Sequence, residues 1–115
     1  MTTHYKNYID GEWVDSARHL DVLNPATEQV VGTIALASAE EVDAALRSAR
    51  ACVDSGVLTR PRPVERARIV HRIGQEILAL AEQCVSLLVA ENGKTTAEAQ
   101  TEIEVAARYF EYYAG

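Results

Sequence analysis

The sequence predicts an α+β fragment, in which an N-terminal β-hairpin and short strands are followed by three or four amphipathic α-helices. Two observations carry this prediction. Asp10-Gly11 separates two short β-prone runs, and apolar residues recur at helical spacing from Ser38 onward. We therefore assign residues 1–37 to strands and residues 38–115 to helices, within one partial domain that spans residues 1–115.

The start of the chain is predicted to be a hairpin. Tyr5–Ile9 and Glu12–Val14 are rich in aromatic and β-branched residues. The Asp10-Gly11 pair between them favours a type I′ turn, because both central residues of that turn have positive φ.

Two more strands are predicted before the helices. Leu20–Leu23 is a short candidate, and Asn24-Pro25-Ala26-Thr27 is typical of a turn, since proline keeps the residue before it out of the helical region. Alternation from Gln29 to Leu36 predicts a fourth strand. One face of that strand consists of Val30, Gly32, Ile34 and Leu36.

The first helix is predicted to begin after Ser38. Ser38 and Glu41 fit a capping box, in which the hydroxyl and the carboxylate each accept a hydrogen bond from a free backbone N–H. The helix is expected to end near Asp54-Ser55-Gly56. Its apolar face at helical spacing is Val42, Ala45, Leu46, Ala49 and Val53.

A second helical stretch follows the linker Arg60–Pro63, because proline suits the first turn of a helix. Its apolar face continues to Leu88 and is compatible with one helix or with two helices that meet near Ala81-Glu82. Glycine inside a helix costs about 1 kcal/mol relative to alanine, so we expect a close contact at Gly74.

The last helix is predicted to begin near Thr95 or Thr96, after Gly93 ends the preceding stretch as a left-handed cap. The terminal aromatic residues are expected to pack against a partner element rather than to stack on a ligand. The apolar side of this helix is Ala99, Ile103, Ala106, Phe110 and Tyr113.

Composition argues against several classes of function. The formal net charge of -6 gives no electrostatic support for nucleic-acid binding. No stretch approaches the ~20 apolar residues of a membrane span, and the first residues lack the basic and apolar regions of a secretory signal. We therefore expect a cytoplasmic protein with no membrane partner. Cys52 and Cys84 are expected to be reduced, buried or half-buried thiols, with a disulfide as the alternative.

No motif in the sequence predicts an active site. Asn92-Gly93-Lys94-Thr95 looks like the end of a phosphate loop, but Leu88 stands where the first glycine belongs and a helix, not a strand, precedes it. Cys52 lies near a helix end, where the dipole disfavours a thiolate, and Cys84 lies on an apolar face. The histidines have no partner at the metal-binding spacings HxxxH or HExxH; they are His4, His19 and His71.

Five blocks of sequence resemble the amino-terminal part of the NAD(P)-binding domain of the aldehyde dehydrogenase superfamily. In order, they are YKNYIDGEWV, LDVLNPATEQVVGTIALASAEEVDAAL, ERARIVHRIGQEI, LLVAENGKTTAEAQTEI and YYAG. Their order and spacing, from about Tyr5 to Gly115, make the resemblance specific. Thr95 is a departure, since many members have proline after the Gly-Lys pair.

The resemblance implies NAD(P)-dependent oxidation of an aldehyde to a carboxylic acid by the full-length protein. The family's cysteine nucleophile, oxyanion-binding asparagine, water-activating glutamate and cofactor loop would all follow residue 115, so no catalytic or cofactor-binding residue is assigned. This chain is expected to be a structural layer, inactive by itself and binding neither NAD nor NADP alone. Its expected partners are the remainder of such a chain and, in the full-length family, further copies in a homo-oligomer. A small non-catalytic helical interaction module is the alternative.

The resemblance also implies a structural monovalent cation, K⁺ or Na⁺, in some members. The corresponding ligands here are the backbone carbonyls of Val22 and Leu23 and the carboxylate of Glu91, although a related subgroup has aspartate at the last position. Oxygen ligands suit a hard cation. The alternative is that Glu91 is a solvated residue at a helix end.

Overall fold

Five short strands open the chain. In the computed structural model, which describes residues 3–115, they belong to the first of two compact units, Met1–Arg60 and Pro61–Gly115. The strands are β1 (Thr3–Tyr5), β2 (Asn7–Ile9), β3 (Glu12–Val14), β4 (Arg18–Leu23) and β5 (Val30–Leu36). The antiparallel pair β2–β3 is one sheet, and a second sheet has the order β1-β5-β4.

The hairpin is confirmed, with one correction to its first strand. Asp10 and Gly11 have φ values of 52° and 83°, as a type I′ turn requires. The predicted strand Tyr5–Ile9 is wrong as a single element, because it is interrupted at Lys6. Tyr5 belongs to β1, which pairs in parallel with β5 rather than with the hairpin. Parallel pairing between distant segments leaves no local turn signal, so the sequence did not reveal it.

The β4–turn–β5 segment follows the prediction. The side-chain oxygen of Asn24 accepts a hydrogen bond from the backbone N–H of Ala26 at 2.8 Å, which closes the turn. β4 then lies antiparallel to β5, with a register shift between Val22 and Leu23. β5 is therefore the central strand of its sheet, and β4 is an edge strand.

Helix α1 (Ala39–Ser55) is fixed at its start by the predicted capping box. The Glu41 carboxylate accepts from the backbone N–H of Ser38 at 2.7 Å, and the Ser38 hydroxyl accepts from the backbone N–H of Glu41 at 3.2 Å. The same carboxylate accepts from the hydroxyl of Ser16, which is buried, at 2.8 Å. The Ser16 hydroxyl in turn accepts from the Asn7 side-chain amide at 3.0 Å. This network joins the hairpin to the helix start.

The apolar face predicted for α1 is only partly the covered face. Val42, Leu46 and Val53 are exposed, whereas the smaller side chains beside them are half-buried. The helix therefore packs against the rest of the first unit mainly through small residues, and its larger apolar residues face outward. The half-buried residues of α1 are Glu41, Ala44, Ala45, Ser48 and Cys52, whereas Ala49 of the predicted face is exposed.

The second unit contains α2 (Pro63–Ala79), α3 (Ala81–Asn92) and α4 (Thr96–Ala114). The interpretation as two helices is confirmed: α2 and α3 meet at Leu80, and their axes are bent by 67°. Gly93, with φ of 77°, ends α3 as predicted. Among residues 3–115, no single helix is long and apolar enough to cross a membrane, although the bent pair α2–α3 meets criteria of length and composition when taken together.

Helices α2 and α4 touch closely at Gly74, as the sequence predicted. A Cβ atom at Gly74 would lie 3.0 Å from the carbonyl oxygen of Ala107 and 3.3 Å from the Cβ of Phe110. Ala99 and Ala107 of α4 are fully covered. Small residues on both helices therefore set the separation of their backbones.

The predicted apolar side of α4 is wrong at its last residue. Tyr113 is 75% exposed, while Phe110 and Ala114 are half-buried. Because α2 approaches α4 most closely between Gly74 and Ala107, Ala107 lies at the middle of the buried face of α4. Tyr113 then lies at the edge of that face. Tyr113 instead meets the ring of Tyr112 edge-on, with the ring centroids 5.2 Å apart.

The start of α4 links the stability of its unit to pH. The Glu98 carboxylate accepts from the hydroxyl and the backbone N–H of Thr95, at 2.8 and 3.2 Å. These two hydrogen bonds, the hydroxyl's first, hold the pKa of Glu98 below its ordinary value of 4.5. Because the folded pKa is the lower one, this contribution to the free energy of unfolding is complete above about pH 4.5 and is lost as the pH falls through the folded pKa.

We expect Glu98→Gln to be less stable than the parent chain above about pH 4.5, with a difference that shrinks at lower pH. Urea unfolding followed by helical circular dichroism, repeated across this range, measures the difference. Glu111→Gln, on an exposed face of the same helix, is the control. A Glu98→Gln difference that does not vary with pH would contradict the prediction.

Candidate functional site

The three residues predicted to bind a monovalent cation lie in different units. Val22 and Leu23 lie next to each other at the end of β4, where the pairing with β5 shifts register. Val22 is half-buried and Leu23 is exposed. Glu91 lies in the last turn of α3, within the second unit, and is exposed.

Each of these positions offers an oxygen atom, the ligand type that hard cations prefer. β4 is an edge strand, so its outer backbone carbonyls have no partner strand among the described residues. The Glu91 carboxylate lies at the C-terminal end of α3, which is the negative end of the helix dipole. The K⁺ or Na⁺ site stays a prediction.

The sequence interpretation of the other candidate motifs agrees with the structure. Leu88 and Asn92 lie in α3, so a helix and not a strand precedes Gly93-Lys94, and the phosphate-loop pattern is absent there. Cys52 lies in the last turn of α1 and Cys84 in α3. Both thiols are free and half-buried, as predicted.

One cluster of chemistry-bearing side chains appears that sequence spacing did not predict. His4 on β1 and His19 on β4 both direct Nε2 at the same carboxylate oxygen of Asp15, at 2.9 and 3.0 Å. Their rings meet edge-on, with centroids 4.5 Å apart. Hydrogen bonds from His4 and His19 hold the pKa of Asp15 well below its usual range, so this carboxylate is ionised at neutral pH.

The sheet explains why these residues meet. β5 lies between β1 and β4, and it pairs Thr33 with His4 and Ala35 with His19. Residues two apart on a strand share a face, so both imidazoles project from the same side of the sheet. The histidines have no metal-binding partner at a local sequence spacing, but the structure brings His4 and His19 together at Asp15. The informative feature is the register of the strands, which a search for fixed sequence spacings does not detect.

Large apolar side chains remain exposed across both units. No large side chain among residues 3–115 is fully buried, and the core is limited to small residues. In α2, Ile69 and Ile73 are about half exposed despite their place on the predicted apolar face. Uncovered apolar surface on this scale is typical of a segment that packs against further protein.

Comparison with known proteins agrees with the fold. The model of the aldehyde dehydrogenase family matches residues 13–115. A malonate-semialdehyde dehydrogenase from Bacillus velezensis is 38% identical over 113 residues, which cover 96% of this chain and 23% of that protein.

Solved structures of such enzymes superpose closely on this chain. An NAD-dependent aldehyde dehydrogenase from Sinorhizobium meliloti matches with a TM-score of 0.94 and 34% identity, over 100% of this chain and 24% of that one. A betaine aldehyde dehydrogenase from Staphylococcus aureus, in complex with NAD⁺, matches with a TM-score of 0.91 and 30% identity, over 96% of this chain and 22% of that one. The chain thus spans about a quarter of the length of the relatives it matches. Sequence and fold together show that this chain belongs to the aldehyde dehydrogenase family.

Proposed function

We propose that this chain is the amino-terminal structural layer of an NAD(P)-dependent aldehyde dehydrogenase, which oxidises an aldehyde to a carboxylic acid. The observation that carries the proposal is the match of the whole fold to about a quarter of such enzymes. The reaction and the nucleotide site then belong to the remaining three quarters.

The distribution of apolar surface supports a structural role. α1 exposes its larger apolar residues Val42, Leu46 and Val53 to 49%, 64% and 53%. Burying apolar surface contributes about 25 cal/mol per Å², so these residues favour docking onto further protein. The partner we propose is the rest of an aldehyde dehydrogenase.

The chemistry of the described residues supports placing catalysis elsewhere. A thiol nucleophile needs a basic neighbour or a helix N-terminus to lower its pKa. Cys52 lies in the last turn of α1, at the negative end of its dipole, whereas Cys84 lies in the first turn of α3. Among the described residues, no basic side chain makes a hydrogen bond or an ion pair with either thiol. We therefore propose that the purified chain neither oxidises aldehydes nor binds NAD⁺ or NADP⁺ by itself.

The first test uses a chimera, in which this chain replaces the matching quarter of the Sinorhizobium meliloti enzyme. We expect the chimera to form NADH from NAD⁺ in the presence of an aldehyde, and the chain alone to form none. Both are measured by absorbance at the wavelength of NADH. An inactive but folded chimera, or turnover by the chain alone, would overturn the proposal.

A second test separates this proposal from the alternative of an independent interaction module. We expect the isolated chain to bind a dye for exposed apolar surface and to elute as a broad, self-associating species, because many of its larger apolar residues are exposed. A sharp monomeric peak that binds no dye would favour the module. Cytoplasmic location and homo-oligomerisation of the complete enzyme are part of the proposal and stay predictions.

A further inference from the structure

We propose that His4, Asp15 and His19 form a binding site for a divalent transition-metal ion of the Zn²⁺ class. This cluster lies wholly within the first unit and is separate from the proposed dehydrogenase function. The donors are two imidazole nitrogens and one carboxylate oxygen, and these three atoms all lie within 4.8 Å of one another.

The distances between the donor atoms fit a metal with short bonds. His4 Nε2 and His19 Nε2 lie 2.9 and 3.0 Å from Asp15 Oδ1. With bonds of about 2.0–2.1 Å, ligands at right angles around Zn²⁺ lie roughly 2.9 Å apart, and ligands at tetrahedral angles roughly 3.4 Å apart. The two nitrogen–oxygen distances are therefore within about half an ångström of those in a coordination shell, and the two nitrogens lie within 4.8 Å of each other.

Other contacts already orient two of the three ligands. The Nδ1 of His4 lies 2.8 Å from the hydroxyl oxygen of Thr33. A bound metal would displace the Nε2 proton that His4 donates to Asp15, and the neutral ring would then donate through Nδ1–H to Thr33 and offer the Nε2 lone pair to the metal. Asp15 Oδ1 also accepts from the backbone N–H of Ser16 at 2.9 Å. Such outer contacts fix the ring and the carboxylate, and they are typical of metal sites in proteins.

The donor set selects the class of ion. Imidazole nitrogen favours Zn²⁺, Ni²⁺ and Cu²⁺, whereas Mg²⁺ and Ca²⁺ prefer oxygen ligands only. Three protein ligands leave at least one coordination position for water or another ligand. The side chains of His4, Asp15 and His19 are 30%, 44% and 45% exposed, so an ion reaches the cluster directly from solvent.

The test is calorimetric titration of the full 115-residue chain with Zn²⁺ alone. The parent and every variant carry Cys52→Ser and Cys84→Ser, because free thiols compete for zinc. We expect one saturable site per chain. His4→Gln, His19→Gln and Asp15→Asn should each weaken binding by at least about tenfold.

A matched set of controls separates coordination from effects on folding. His71→Gln removes an exposed histidine of α2 outside the cluster and should leave the affinity unchanged. Thr33→Val should weaken binding about tenfold, since it removes the partner of His4 Nδ1, while Thr33→Ser should retain it. Imidazole NMR signals of His4 and His19, and not of His71, should shift on adding Zn²⁺. Absence of saturable binding, or equal losses in the His71→Gln control, would overturn the proposal.

Discussion

Replacing Gly74 by valine is expected to destabilise the α2–α4 contact by about 2–3 kcal/mol, the cost of overpacking a close helix interface. The first added atom would lie 3.0 Å from the carbonyl oxygen of Ala107 and 3.3 Å from the Cβ of Phe110. The oxygen belongs to the backbone of a helix, so it moves only if α4 moves. The two methyl groups of valine enlarge the clash further.

Urea unfolding followed by helical circular dichroism measures this loss. Gln75→Val is the matched control, because it places the same side chain at an exposed position of α2 and should change stability by only a few tenths of a kcal/mol. Gly74→Ala should fall between the two, since alanine favours the helix by about 1 kcal/mol but still meets the carbonyl. Equal stability of Gly74→Val and Gln75→Val would show that the close approach is not structurally important.

The second large effect is expected at Glu41, where one carboxylate serves two purposes. Its Oε2 caps α1 through the Ser38 backbone N–H, and it accepts from the buried Ser16 hydroxyl. Loss of a helix cap costs typically ~1 kcal/mol, and a buried hydroxyl left without its partner costs about 1–3 kcal/mol. We therefore expect Glu41→Ala to destabilise the first unit by roughly 2–3 kcal/mol.

Glu41→Gln is the conservative control, because its amide oxygen can still accept from Ser16 or Ser38. Ser38→Ala removes one half of the capping box while leaving Ser16 its acceptor, so it should cost less than Glu41→Ala. Thermal unfolding of the four proteins in parallel gives the order. If Glu41→Ala costs no more than Ser38→Ala, the buried link to Ser16 does not contribute to stability.

Local signals in the sequence determined the elements of this protein well. Asp10-Gly11 predicted a turn with positive φ at both residues, and the Ser38–Glu41 pair predicted the start of α1. Gly93 predicted the end of α3. Each of these features depends on hydrogen bonds or dihedral angles within a few residues, so the necessary information lies in a short stretch of chain.

Features that depend on distant segments were decided by the tertiary structure. The pairing of β1 with β5 divided the predicted first strand at Lys6, and the position of Ala107 against Gly74 turned Tyr113 to the outside. In α1, helical periodicity identified an apolar face, yet burial by small residues left Leu46 exposed. Periodicity shows which residues share a face, but it does not show what that face meets.

The sequence by itself therefore determined the family, the α+β order of elements and their capped ends. These features depend on the order of short motifs and on hydrogen bonds between residues close together in the chain. The tertiary structure alone decided that His4 and His19 face one carboxylate of Asp15. Strand register brings together residues that have no fixed spacing in sequence, and a central strand places side chains from both of its neighbours on one face. The proposed metal site is a consequence of that register.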